Sequence, residues 1–93
     1  MSTFVTRVEL HNANGEDYVR LHQAMAAQGF ARTIMGSDGK RYHLPTAEYH
    51  FNGLASTDDV RNKASTAART VKPSFAVVAS EYNSCSWVGL PTA

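Results

Sequence analysis

An alternating run over residues 3–11, two stretches at helical spacing with recognisable caps, and the way further apolar runs fall between them predict an α+β sandwich. The order is strand, helix, strand, strand, helix, strand, with a short extra strand near the C-terminal end. It is the split arrangement in which two helices cover one face of an antiparallel sheet and leave the other bare, the ferredoxin-like βαββαβ sandwich. The 93 residues are the size of one small domain, 1–93, able to bury a modest core without metal or disulfide staples.

The first strand is read over residues 3–11, where Phe4, Thr6, Val8 and Leu10 point one way and Val5, Arg7, Glu9 and His11 the other. Asn12-Ala13-Asn14-Gly15 interrupts it. Asn14 then caps a helix over residues 15–28, with Glu16 and Asp17 at its electropositive end, Tyr18, Leu21, Ala24 and Met25 along one side, and Gly29 as the C-terminal cap. Residues 30–35 and 40–51 form two strands joined as a hairpin through Gly36-Ser37-Asp38-Gly39. Pro45 has no N–H for a ladder, so the later strand must lie at a sheet edge or be broken there by a bulge. Ser56-Thr57-Asp58-Asp59 is a capping box opening a second helix, which turns Val60, Ala64, Ala67, Ala68 and Val71 to the core and stops at Pro73. The apolar run Phe75-Ala76-Val77-Val78-Ala79 predicts a strand covered on both faces, and residues 85–90 the short extra one, closed by Pro91. A bare sheet face carrying Val5, Val78 and Tyr49 needs a cover, and a homodimer through that open face supplies one.

Composition narrows the function classes. Hydrophobic residues at 43% and charged residues at 18% fit a folded globular chain rather than a disordered tail. A formal net charge of +1 removes any global electrostatic case for a nucleic-acid partner, so such binding has to be local. Basic residues do gather: Arg32, Lys40 and Arg41 flank the hairpin turn, and Arg61, Lys63, Arg69 and Lys72 lie on or after the second helix. With Asp58 and Asp59 the second group also reads as a solvated face matched to the helix dipole. Cys85 has no internal partner and is read as a small buried or half-buried hydrophobe, compatible with a reducing compartment. No apolar stretch is long enough to cross a bilayer, and Met1-Ser2-Thr3-Phe4 lacks the regions of a signal peptide, so no membrane association and a cytoplasmic location are expected. HxH, CxxC and HExxH spacings are absent, which argues against structural zinc.

The run Thr3-Phe4-Val5-Thr6-Arg7-Val8-Glu9, its polar turn, and then Tyr18-Val19-Arg20-Leu21-His22-Gln23-Ala24-Met25 with Gly29-Phe30 resemble the GhoS-type endoribonuclease antitoxin family. Those proteins have a ferredoxin-like fold similar to the small CRISPR-associated adaptation nucleases, and the antitoxin cleaves the messenger of its paired membrane toxin. The resemblance is clearest over the first third of the chain. It implies cleavage of single-stranded mRNA, with the acidic position at the end of the first strand falling on Glu9 and the basic helix positions on Arg20 and His22. Glu9 stands where the relatives have aspartate, a methylene further from the backbone, and His22 where they have arginine. Arg7, Arg32, Lys40 and Arg41 are then the candidate RNA contacts.

Ribonuclease chemistry needs either a general base and acid, for which histidine suits best, or carboxylates holding a divalent cation such as magnesium. Glu9 and His11 share one side of a strand, and across a dimer axis two Glu9 carboxylates would make the metal site; His11 or His22 would move protons and Arg20 would steady phosphate charge. The alternative is that Arg7 and Glu9 are cross-strand ion partners and His11 a solvated turn residue. Tyr42, Tyr49 and Trp87 are candidates to stack on bases, or are ordinary packing. Two functions therefore stand: an endoribonuclease, and a non-catalytic dimeric module that holds a protein, a nucleotide or RNA.

Overall fold

The computed structural model describes residues 1–93. Its elements are β1 (Ser2–Leu10), α1 (Gly15–Ala27), β2 (Thr33–Met35), β3 (Arg41–His43), β4 (Glu48–Gly53), α2 (Thr57–Arg69) and β5 (Phe75–Glu81). β1 lies at the centre of an antiparallel sheet of order β4-β1-β5, and β2 and β3 form a separate two-stranded ribbon. The ribbon is tied to the free side of β4 by backbone bonds between Ala31 and His50 at 2.9 and 2.8 Å, so the spatial order is that of a ferredoxin-like α+β fold.

Both helices begin as their residues dictate. Asn14 accepts from the Asp17 N–H while Asp17 accepts from the Asn14 N–H, and Ser56 and Asp59 repeat the exchange on α2. α1 ends in a Schellman motif: Gly29 N–H donates to Ala26 and Phe30 N–H to Met25, with Gly29 at φ 92°. Phe30 and Met25 are both buried there. The core lies between the sheet and the helices, with Phe4, Val8, Leu21, Met25, Tyr49, Val60, Ala64 and Ala68 at 0% exposure. Ala64, Ala67 and Ala68 are the small residues that let α2 approach the sheet closely.

Four expectations are corrected. The strand over residues 40–51 is two strands, because Pro45 cannot donate to a ladder and the chain turns there: Glu48 N–H donates to the Pro45 carbonyl and Ala47 takes a φ of 74°, the third position of a tight turn. β5 is covered on one face only; Phe75, Val77 and Ala79 pack on the core while Ala76 and Val78 stay exposed. Tyr49 lies on the helix side and not on the open face, since the register Val5↔His50 places His50 outside and its neighbours within. No strand forms over residues 85–90; the pairing occurs later, where Thr92 bridges Tyr42 and the His43 and Ala93 N–H groups donate to the Pro91 and Arg41 carbonyls.

No helix is long and apolar enough to cross a membrane. Asp17, 5% exposed, joins the helical layer together: beyond its cap it pairs with Arg20 and, at 3.4 Å, with Lys72 just past the end of α2. The N-cap bond and these two cations hold its carboxyl below the usual range.

Candidate functional site

The open face is built by alternation. β1 sends Thr3, Val5, Arg7 and Glu9 outward, and the registers set Asn52, His50 and Glu48 beside them on one flank and Ser80, Val78 and Ala76 on the other. Tyr82 continues β5 by one residue, since its N–H donates to the Thr3 carbonyl and its own carbonyl accepts from the Thr3 hydroxyl.

At the Thr3 end of this face is a cleft of about 350 Å³, lined by Thr3, Thr33, Met35, Arg41, His50, Asn52 and Tyr82 among others. His50 Nε2 and the Tyr82 hydroxyl are 2.6 Å apart, a bond that reaches across β1 from β4 to the end of β5. Burial, and then the nearby Arg41 cation, lower the pKa of His50, so its imidazole is neutral at pH 7. Arg41 leans on the Thr33 hydroxyl at 3.3 Å and is otherwise exposed. A second hollow of about 460 Å³ adjoins the first, Met35 and Tyr82 lining both. Tyr42 and Trp87 line it with ring centroids 5.5 Å apart, and the Tyr42 hydroxyl donates to Asp38, which holds that carboxyl low. The two hollows lie side by side, with Tyr42, Trp87 and Tyr82 as aromatic walls, the Arg41 cation in the first and the Asp38 carboxylate, tied to Tyr42, in the second.

Glu9 and His11 are brought together as the alternation requires, with His11 Nε2 3.5 Å from Glu9 Oε1 and His11 Nδ1 2.8 Å from the Ser74 hydroxyl. They lie four or more residues along β1 from the His50 row, roughly 13 Å at the rise of a strand. Arg7 is exposed opposite Glu48 and takes part in no ion pair, and Glu9 has only His11 beside it, so neither makes the cross-strand ion pair. Arg20 and His22 are on the other layer. Arg20 is held by Asp17, and His22 Nδ1 is 2.6 Å from the hydroxyl of buried Tyr49, with burial and Arg32 lowering its pKa. Glu9 and Arg20 therefore face opposite sides of the sheet and do not form one centre within the chain. Lys40 is exposed at the hairpin turn; Cys85 is exposed rather than buried.

The residues do not suit the divalent cation that the resemblance implies. Magnesium asks for near-octahedral oxygen ligands, whereas Glu9 has one imidazole beside it and no group of three or more His, Cys, Asp or Glu side chains is gathered anywhere. Tyr49 is too deeply enclosed to stack on a base. Tyr82 and His50 are the site residues that sequence reasoning missed. The signal for Tyr82 was the alternation of β5 carried one step further, and for His50 its odd offset from His43, which becomes meaningful once Pro45 separates the two strands. Comparison of the chain with protein-family models, with curated proteins and with solved structures finds no match.

Proposed function

We propose that the protein is a single-stranded RNA-binding module whose groove, from Thr3 and His50 to Trp87, takes the strand. The observation that carries this reading is the adjacency of the two hollows, which share Met35 and Tyr82 and so set aromatic walls beside the Arg41 cation. Aromatic faces accept any base by stacking, a guanidinium takes the phosphate, and neutral His50, Asn52 and Thr3 offer hydrogen bonds without repelling an anion or fixing one. Lys40, exposed at the hairpin turn of the same ribbon, adds local positive charge to a chain of net charge +1, whereas Arg32 lies on the helix side beside His22.

A second reading, RNA cleavage, is favoured by the Glu9, His11 and Ser74 line on the same face. There His11 would take the proton of a ribose 2′-hydroxyl as its oxygen bonds to the adjacent phosphorus, the P–O5′ bond would break to leave a 2′,3′-cyclic phosphate, and the imidazolium, steadied by Glu9, would return the proton to the departing 5′-oxygen. The homodimer expected through the open face competes with both, since a strand and a second copy cannot occupy one surface. Most of that face is polar; among its residues on β1, β4 and β5 only Val78 is a large hydrophobe with more than half its surface exposed, and Met35 of the ribbon is the other beside the cleft.

Fluorescence anisotropy with labelled RNA of roughly ten nucleotides tests this. Trp87→Ala and Tyr82→Ala should each weaken binding about 5- to 100-fold. Arg41→Ala should weaken it and flatten the salt dependence by about 0.7 in log–log slope. Absence of binding by the wild-type chain, or indifference to these variants, would sink the proposal. In the same samples, Glu9→Gln and His11→Ala should keep affinity; RNA left intact by the wild-type protein rules out the second reading alone.

A further inference from the structure

The hydrogen-bond phase of β5 decides which of its backbone groups are used. Its ladder with β1 is bounded by His11 N–H donating to the Ser74 carbonyl at 3.1 Å and Tyr82 N–H donating to the Thr3 carbonyl at 3.0 Å. Antiparallel bonding alternates, so Ala76, Val78 and Ser80 exchange bonds with Glu9, Arg7 and Val5. Phe75, Val77, Ala79 and Glu81 therefore turn their N–H and C=O groups away from the sheet. β5 is its last strand, and no hydrogen bond outside the ladders uses these four residues. A row of unpaired donors and acceptors thus runs the length of the strand.

Natural edges are usually guarded by proline, lysine, a bulge or a covering loop. β5 has none of these over its seven residues, and its one charge is Glu81 at the end. The opposite edge is treated differently: β4 is closed by Ala31 and the ribbon, and the ribbon in turn by Thr92.

We propose that β5 pairs antiparallel with β5 of a second copy, merging two three-stranded sheets into one, in the register centred on Val78. Charge selects both the occupant and the register. The Arg69 guanidinium lies 5.8 Å from the centre of the Phe75 ring, and neither Arg69 nor Glu81 has an ion partner within its own chain. With the two-fold axis at Val78, the partner's Glu81 falls directly opposite Phe75, beneath Arg69, and the symmetry makes the contact twice. Shifting the axis to Val77 or Ala79 puts Pro73 or Val77 opposite the partner's Glu81 and loses it. The same register sets Val77 against the partner's Ala79, and Val78, 62% exposed, against its own copy at the close spacing of a non-bonded pair. Four outward residues on each chain supply about eight backbone bonds. A two-fold axis normal to the sheet leaves the open faces of both copies, and the hollows on them, pointing the same way.

Sedimentation or light scattering over micromolar to near-millimolar concentrations tests this on the full chain. The wild-type protein should dimerise. Ala79→Pro, which deletes an outward N–H and no bond within the chain, should leave a folded monomer. Arg69→Glu and Glu81→Arg should each weaken the dimer by about tenfold, and the double exchange should restore it. A wild-type chain that stays monomeric throughout overturns the proposal, as does a dimer indifferent to Ala79→Pro. Should Ala79→Pro fail to fold, the charge exchange decides: restoration supports the pairing and its absence overturns it.

Discussion

Thr6 shows how a single atom can stand against its surroundings. Its alternation places it on the core face of β1 between Phe4 and Val8, and it is wholly buried with a hydroxyl that finds no partner. A buried hydroxyl without a hydrogen bond costs about 1–3 kcal/mol, and valine has nearly the same shape. Thr6→Val should therefore raise stability by about 1 kcal/mol, seen as a rise of roughly 4–8 °C in the thermal midpoint by circular dichroism. An unchanged or lowered midpoint would mean that the hydroxyl is satisfied in solution. At this scale the sequence was legible where a side chain has only a direction to choose. Glu9 and His11 were placed correctly by counting in twos. The His50 and Tyr82 bond was not, because it joins β4 to the end of β5 across β1, and no local spacing encodes a pairing of residues 32 apart.

Elements were legible where the chain carries its own punctuation. Asn14 with Asp17, and Ser56 with Asp59, satisfy one another at the helix starts whatever lies beyond, and both caps form as expected. Gly29 is required rather than tolerated: it holds φ 92°, and a Cβ there would sit 3.3 Å from Phe51 Cε2. Gly29→Ala should destabilise the chain by about 1–2 kcal/mol, measurable as a lowered urea midpoint with the slope unchanged. The strand over residues 40–51 reads as one because aromatic residues, Tyr42, Tyr49 and Phe51, recur on both sides of Pro45, while the missing N–H stops the ladder. The run Phe75 to Ala79 reads as doubly covered because alanine and valine tolerate exposure; their alternation is hidden when both faces are apolar.

For the whole molecule, the layer order was legible and the candidate groove was not, since it draws on residues from both ends of the chain. Acid should expose how the layers depend on charge. Unfolded histidine takes up protons below its ordinary 6.5, whereas burial resists this at His22 and His50. The unfolded state then binds more protons, so stability falls from pH 7 towards pH 5. A second fall begins below 3.8, where Asp17, Asp38 and Asp59 have lowered values and must protonate against their hydrogen bonds. Urea midpoints across this range should show both steps, and replacing His22 and His50 by glutamine should remove the first; a flat profile above pH 5 would contradict it. The clamp at Asp17 has one more effect. Because a single carboxylate grips the start of one helix and the residue just beyond the end of the other, neither terminus can fray without releasing its neighbour, and the two helices loosen as one cooperative unit.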